Sequence, residues 1–152
     1  TGNPFAVQEI ADAIKGVDIP VFIKNPLIPD LNLWVGAIER FYNSGIKDIV
    51  GIHRGFYNNI YEDYRNLPEW KIPIKLKSLI PDMPLICDPS HIAGKKELVT
   101  DISRLALDYD FDGLMIESHI NPKSALTDQY QQLEPEELKI LLNSLEKENI
   151  LK

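Results

Sequence analysis

Four short stretches of the chain are continuously apolar instead of alternating between apolar and polar residues. They span residues 19–24 (IPVFIK), 47–53 (KDIVGIH), 83–88 (MPLICD) and 111–117 (FDGLMIE). Such runs are typical of strands that are buried on both faces of a parallel sheet. The pattern therefore predicts four parallel strands.

Segments with an apolar residue every three or four positions lie between these runs and predict amphipathic helices. The first helix spans residues 4–15, because Asn3 is a suitable N-cap and Gly16 suits the position after the last turn. Asp30 can cap a second helix, which continues until Ser44 and Gly45.

Pro68 and Pro73 interrupt the third helical segment, so a loop is predicted there, with a short helix starting at about residue 73. Two further amphipathic helices are predicted over residues 95–108 and 135–148. Strands and helices thus alternate along the whole chain, which predicts an α/β fold with helical crossovers between parallel strands.

Two architectures fit this alternation: an open doubly wound sheet and a part of a (β/α)8 barrel. The chain has 152 residues, whereas a whole barrel typically needs about 250. The length therefore excludes a complete barrel and leaves both alternatives open.

Charge and composition narrow the possible functions. The formal net charge is -7 and the basic residues are scattered, which argues against a broad surface for nucleic acid or anionic membrane. Cys87 is the single cysteine of the sequence, so no internal disulfide is expected. Because no signal peptide and no apolar run of about 18 residues is visible, a cytoplasmic setting is expected.

Each predicted strand is followed by polar residues that a buried strand would not favour. These are Lys24-Asn25, His53-Arg54, Asp88-Pro89-Ser90-His91 and Glu117-Ser118-His119. The carboxyl ends of parallel strands form the face on which α/β proteins bind ligands. The four groups are therefore expected to meet in one site.

The chemistry of these groups indicates a metal site beside an anion site. His91 and Glu117 offer nitrogen and oxygen ligands for a divalent transition metal, and Asp128 in the following loop could supply a third ligand. Lys24 and Arg54 together suit a phosphate or carboxylate. Taken alone, a histidine at a strand end is more often a hydrogen-bonded polar cap, and such a lysine a surface residue.

Five motifs in order, IKNP, IHRG, DPSHIAG, DGLMIESH and ALTDQYQQL, resemble the later half of 3-deoxy-D-arabino-heptulosonate 7-phosphate (DAHP) synthase. The likeness covers nearly the whole chain and is strongest to the subgroup that is often fused to chorismate mutase. It implies that the chain forms strands five to eight of a (β/α)8 TIM barrel. The family reaction condenses phosphoenolpyruvate with erythrose 4-phosphate and releases phosphate, as the first step of the shikimate pathway of aromatic amino acid biosynthesis.

The resemblance also implies roles for particular residues. His91, Glu117 and Asp128 correspond to ligands of a divalent metal such as Mn²⁺, Fe²⁺, Co²⁺ or Zn²⁺. Lys24 and Arg54 correspond to groups that bind phosphoenolpyruvate, and Lys24 would also protonate or stabilise the developing alkoxide. Asp88 is expected to orient the attacking water, or to orient a metal ligand without itself binding the metal.

The chain departs from the family pattern in two respects. His53 occupies a position where many relatives have glutamate, so its role and that of His119 stay open between site and structure. The cysteine ligand and the Lys-Pro-Arg-Thr-Ser clamp for erythrose 4-phosphate, which the family takes from its first two strands, are absent. Cys87 does not replace that thiol, because side chains alternate along a strand and Cys87 must face away from Asp88.

The resemblance and the length lead us to expect that residues 1–152 form a single partial domain, half of a TIM barrel. Because the cysteine ligand and the clamp are absent, the isolated chain is expected to be inactive. Homo-oligomers are also expected. One alternative is the related condensation with arabinose 5-phosphate by a 3-deoxy-octulosonate 8-phosphate synthase, although DPSHIAG favours DAHP synthase. A second alternative, of another class, is a non-catalytic half-barrel assembly module that self-associates through open sheet edges and an apolar face.

Overall fold

The fold is built on a parallel sheet whose strands alternate with helices. A computed structural model describes residues 1–57, 59 and 63–147. In chain order, the elements are α1 (Pro4–Ala13), β1 (Val21–Lys24), α2 (Leu31–Asn43), β2 (Ile49–His53), β3 (Phe56–Tyr57), β4 (Asn66–Leu67), α3 (Lys71–Leu79), β5 (Leu85–Cys87), α4 (Pro89–Ala93), α5 (Val99–Asp108), β6 (Gly113–Leu114) and α6 (Pro135–Lys147). Single 3-10 turns lie at Lys96–Leu98 and Pro122–Ser124.

The order of the strands decides between the two predicted architectures. β1, β2, β5 and β6 form a four-stranded sheet in that order, and all three neighbouring pairs are parallel. Each strand of this sheet thus lies beside the strand of the same sheet that follows it in the sequence. In a doubly wound sheet, by contrast, the spatial order of the strands reverses at a switch point. The sheet is therefore that of a TIM barrel, and the four predicted parallel strands are confirmed.

The two faces of this sheet differ in their surroundings. One face packs against the helices, where Ile23, Ile49, Leu85 and Cys87 belong to the main hydrophobic core. Because side chains alternate between the two faces along each strand, Phe22, Val50 and Ile86 lie on the opposite face. Phe22 is 51% exposed, and Val50 and Ile86 are partly exposed. This second face corresponds to the interior of a barrel and is covered only in part.

The predicted helix caps are confirmed at the first two helices. The Asn3 side chain accepts hydrogen bonds from the backbone N–H groups at the start of α1, and Asp30 does the same for α2. Gly16 follows α1 with a φ of +79°, a backbone conformation that glycine adopts without a steric penalty. These local signals fix where the chain turns before and after β1.

The structure corrects the sequence prediction at several places. The helix predicted over 4–15 ends at Ala13, and the helix predicted over 95–108 begins at Val99, after the 3-10 turn Lys96–Leu98. Helix α3 begins at Lys71, two residues before the predicted start. Pro73 therefore lies in the first turn of this helix, where a missing backbone N–H group is tolerated. Strands β3 and β4 pair as a small antiparallel sheet that was not predicted. Helix α4 directly follows β5 and has only five residues, which is too short to show an amphipathic pattern.

Helix α6 ends at Lys147, and the last residue of the helix predicted over 135–148 lies outside the described residues. Within the described part of the chain, the longest helices have 13 residues, and none combines the length and apolar character that a bilayer crossing requires.

Candidate metal and anion site

The strand register brings the polar strand ends to one edge of the barrel-interior face. Lys24 pairs with Ile52 across β1 and β2, so Lys24 shares a face with Ile52 and Arg54 by alternation. The same count along the other two strands places Asp88 and Glu117 on this face. The local fold therefore collects one residue from the end of each strand.

Asp88 lies at the centre of this group and is 1% exposed. Its Oδ2 atom lies 3.2 Å from Lys24 Nζ and 2.8 Å from His91 Nδ1. Its Oδ1 atom accepts a hydrogen bond from the backbone N–H of His91 and so caps α4. Burial alone would raise the pKa of Asp88, but hydrogen bonds and charge from His91, and then Lys24, outweigh burial and lower it.

His91, Glu117 and Asp128 lie close enough together to hold one metal ion. One ligand atom from each residue falls within 4.8 Å of the other two, and His91 Nε2 is 3.9 Å from Glu117 Oε1. Since His91 Nδ1 faces Asp88, its Nε2 atom is the nitrogen that points into this cluster. One imidazole and two carboxylates are a donor set that suits divalent transition metals, so these residues fit the metal that the sequence indicates.

Asp128 reaches the cluster through an unusual backbone conformation. Its φ is +57°, in the left-handed region that aspartate enters more readily than most residues. Its carboxylate forms an ion pair with Arg65, and this contact is the main reason why the pKa of Asp128 lies below its usual value. The carboxylate is therefore ionised and held in place by a cation that the sequence pattern did not single out.

Arg54 is held at the anion side of the site by Asn25. The buried Asn25 side chain accepts a hydrogen bond of 2.7 Å from the Arg54 backbone N–H. Its amide group also donates to the carbonyl oxygens of Gly55 and Pro26, at 2.8 Å each. Burial lowers the pKa of Arg54, yet a guanidinium stays charged at neutral pH. Asn25 thus ties the ends of β1 and β2 together and fixes the backbone from which the Arg54 side chain extends.

The two remaining histidines do not join the metal cluster. His53, which the sequence placed with the site residues, lies on the opposite face of β2 and is fully buried. Its ring contacts Trp34, Phe56, Trp70 and Phe111, with centroid distances of 5.3–6.4 Å. His119 accepts a hydrogen bond from the Asn121 backbone N–H through Nδ1 and is not a member of the cluster.

His53 is expected to make stability depend on pH. Burial lowers its pKa to about 3, against the opposing effects of the Pro68 carbonyl and Asp88, while in the unfolded chain it is about 6.5. The unfolded state therefore binds a proton below about pH 6.5 and the folded state does not, so stability falls with falling pH by up to about 1.4 kcal/mol per unit.

Denaturant unfolding between pH 7 and 4.5 measures this effect. His53→Phe should flatten the dependence, whereas His119→Gln should keep the wild-type slope. An equally steep loss of stability in His53→Phe would show that other groups cause it.

Cys87 lies where the alternation along β5 predicted it. It is fully buried in the helix-side core, and burial raises the pKa of its thiol well above the usual value. A neutral, inaccessible thiol is not available as a metal ligand.

Comparison with known proteins connects this chain to a family. A model of the DAHP synthetase I family matches residues 6–151. The phospho-2-dehydro-3-deoxyheptonate aldolase of Thermotoga maritima is 30% identical over 128 residues, which cover 84% of this chain and 37% of the relative. A 2-dehydro-3-deoxyphosphooctonate aldolase of Desulfosudis oleivorans is 28% identical over 123 residues, which cover 72% of this chain and 42% of the relative.

A solved structure supports the same relationship. A truncated form of 3-deoxy-D-arabino-heptulosonate 7-phosphate synthase from Thermotoga maritima superposes with a TM-score of 0.81 at 25% identity, covering 95% of this chain and 55% of that chain. The chain thus spans less than half the length of these two relatives and about half of this solved chain.

Proposed function

This chain belongs to the DAHP synthetase I family, and from that premise we propose that it carries the metal-binding and phosphoenolpyruvate-binding face of a DAHP synthase. The proposal rests on one observation above all: His91, Glu117 and Asp128 form a cluster of possible metal ligands beside the cations Lys24 and Arg54. The whole enzyme would condense phosphoenolpyruvate with erythrose 4-phosphate to give DAHP and phosphate.

His91, Glu117 and Asp128 would hold a divalent metal such as Mn²⁺, Fe²⁺, Co²⁺ or Zn²⁺. When bound, such a metal supplies Lewis-acid polarisation of the aldehyde oxygen. Asp88 supports this arrangement, because its contact with Nδ1 fixes the His91 ring and leaves Nε2 free to ligate. The buried carboxylate of Asp88 thereby acts as a positioning group for the metal ligand.

Lys24 and Arg54 would hold the phosphate and carboxylate of phosphoenolpyruvate by charge-assisted hydrogen bonds. Lys24 has a second role in this proposal. Its ammonium group is half-exposed and 3.2 Å from Asp88, so it can donate a proton to the alkoxide that forms when carbon 3 of phosphoenolpyruvate attacks the aldehyde. Water then adds at the electron-deficient carbon 2 and loses a proton to solvent, and the resulting hemiketal phosphate gives the ketone as its C–O bond to phosphate breaks. Asp88 is the nearby carboxylate that could orient this water.

The binding half of this proposal can be tested with the chain itself. Titration calorimetry in the presence of Mn²⁺ should detect phosphoenolpyruvate binding, and Lys24→Met and Arg54→Met should each weaken it at least about 10-fold, since each removes a charged hydrogen-bond donor. Lys139→Met, on the exposed side of α6, is the matched control and should bind as the wild type does. Unchanged affinity in both site variants would contradict the assignment.

Turnover is expected to need residues beyond those of this chain. The sequence contains neither the strand-one cysteine nor the Lys-Pro-Arg-Thr-Ser segment that the resemblance assigns to metal and erythrose 4-phosphate binding. A phosphate-release assay with the chain alone should therefore show no activity.

In an active assembly, arabinose 5-phosphate is the competing substrate, because this chain also resembles a 2-dehydro-3-deoxyphosphooctonate aldolase. Association with a chorismate mutase and a cytoplasmic setting are further parts of the proposal.

A second candidate function, a half-barrel assembly module, is favoured by the apolar residues around β1. Phe22 lies on the edge strand and is 51% exposed, and Leu27 and Ile28, which follow this strand along the chain, are more than half exposed. An edge strand with exposed apolar side chains favours association with another chain.

This candidate predicts that the isolated chain self-associates. Light scattering after size-exclusion chromatography should give a mass above 17.3 kDa, and Phe22→Asp should shift the distribution toward the monomer. Tyr130→Asp is the control, since Tyr130 is exposed on the loop before α6. A monomeric wild-type chain would contradict the assembly role.

A further inference from the structure

Gln131 is a buried residue of the candidate site that the sequence pattern did not single out. Its side chain is part of the loop between β6 and α6 and is 1% exposed. The amide Nε2 donates to Glu117 Oε2 at 2.7 Å, and the amide Oε1 accepts from Arg65 Nη1 at 2.7 Å. Both ends of a buried amide are therefore used by charged neighbours.

These two neighbours leave the amide only one orientation. A guanidinium can only donate hydrogen bonds, and a carboxylate can only accept them. The oxygen of Gln131 must therefore face Arg65, and its NH₂ group must face Glu117. Rotating the amide by half a turn would place its NH₂ group against the guanidinium of Arg65, which is donor against donor. The same rotation would place its oxygen against the carboxylate of Glu117, which is acceptor against acceptor.

Arg65 extends the same chain of contacts to Asp128. Its guanidinium pairs with the Asp128 carboxylate as well as with Gln131. A continuous path thus runs from Asp128 through Arg65 and Gln131 to Glu117. The two carboxylates of the metal cluster are joined by groups that do not themselves belong to it.

The backbone around α4 leaves room for this arrangement. Gly94 ends α4 with a φ of +68°, and a Cβ atom at this position would lie 2.5 Å from the Arg65 Cβ atom. Glycine is therefore required here both for its backbone conformation and for the close passage of Arg65. The absence of a side chain at Gly94 thus allows Arg65 to pass α4 and reach Gln131.

We propose that Gln131 is a positioning residue for the metal site, and this inference rests on the proposed function. By binding Glu117 Oε2, Gln131 leaves Oε1 as the atom that faces His91 Nε2, 3.9 Å away. Ser90 Oγ, which accepts a hydrogen bond of 3.0 Å from the Glu117 backbone N–H, fixes the main chain of the same residue. Glu117 is therefore held at both its backbone and its carboxylate.

The test is a titration of the chain with Mn²⁺, followed by the electron paramagnetic resonance signal of free Mn²⁺. Gln131→Met keeps the approximate volume but removes both hydrogen bonds, and should weaken Mn²⁺ binding about 10- to 100-fold, as expected for loss of a group that orients a ligand. Gln131→Asn keeps the amide but is too short to span Glu117 and Arg65, and should also weaken binding. Gln129→Met, at an exposed position of the same loop, should bind as the wild type does.

Each outcome has a distinct meaning. Thermal unfolding without metal should show that both Gln131 variants are folded, and the spectrum of bound Mn²⁺ at low temperature should change with the variants if the ligand geometry changes. Wild-type affinity and spectrum in both Gln131 variants would overturn the positioning role while leaving the metal site intact. Absence of Mn²⁺ binding by the wild-type chain would overturn the metal site and this inference together.

Discussion

Replacing His91 by alanine should weaken Mn²⁺ binding more than about 100-fold, a larger loss than removal of an orienting group produces. His91 supplies the single nitrogen of the candidate cluster, and its Nε2 atom lies 3.9 Å from Glu117 Oε1. The two carboxylates that remain would retain only a weak attraction for the cation. Titration of the free Mn²⁺ signal measures the effect directly.

His119→Ala provides the matched control for this experiment. Both histidines follow the end of a strand, but His119 lies outside the cluster and its Nδ1 atom accepts a hydrogen bond from Asn121. It should therefore bind Mn²⁺ like the wild type. Equal losses in the two variants would mean that histidines near this edge act through general charge or folding, and not as ligands.

Asp88→Asn should lower the free energy of unfolding by about 2–3 kcal/mol at pH 7, because a buried group then loses its charged partners. In the wild-type chain, His91 Nδ1 and Lys24 Nζ lie 2.8 and 3.2 Å from a carboxylate oxygen of Asp88. In the variant, these two groups face a neutral amide. Asp30→Asn is the control, since Asp30 also caps a helix and asparagine caps equally well. It should change stability by less than about 0.5 kcal/mol.

The pH dependence separates charge from packing in this comparison. The pKa of folded Asp88 is lowered, so its ionised form stabilises the fold above the unfolded pKa of about 3.9. That contribution is lost as the pH falls through the folded pKa. The difference between wild type and Asp88→Asn should therefore narrow below about pH 4. A difference that stays constant down to acid pH would assign the effect to packing of the amide.

Most of the site could be predicted from the sequence because of where its residues lie along the strands. Lys24, Arg54, Asp88 and Glu117 each follow an apolar run, and parallel strands end at one edge. Alternation places the neighbours His53 and Arg54 on opposite faces of β2, but a continuously apolar run does not show which of the two lies on the site face. The register, in which Lys24 pairs with Ile52, places Arg54 on the site face and His53 toward the helices. The prediction that the whole His53-Arg54 pair meets in the site is therefore wrong for His53.

The residues that hold the site together carried no comparable signal. Arg65 contacts Asp128 and Gln131 across 63 and 66 positions of sequence, and both partners lie in a segment without helical or strand periodicity. Strands β3 and β4 have two residues each, too few for an alternating pattern. Such contacts depend on how loops meet after the sheet has formed, and a local pattern cannot encode that.

The central claim is that one edge of this sheet binds a divalent metal and phosphoenolpyruvate side by side. The most direct measurement is anomalous X-ray diffraction at the manganese edge from crystals of the chain soaked with Mn²⁺ and phosphoenolpyruvate. We expect one dominant anomalous peak in ligand contact with His91, Glu117 and Asp128, and phosphoenolpyruvate bound against Lys24 and Arg54. A dominant peak elsewhere, or phosphoenolpyruvate bound away from both cations, would contradict it.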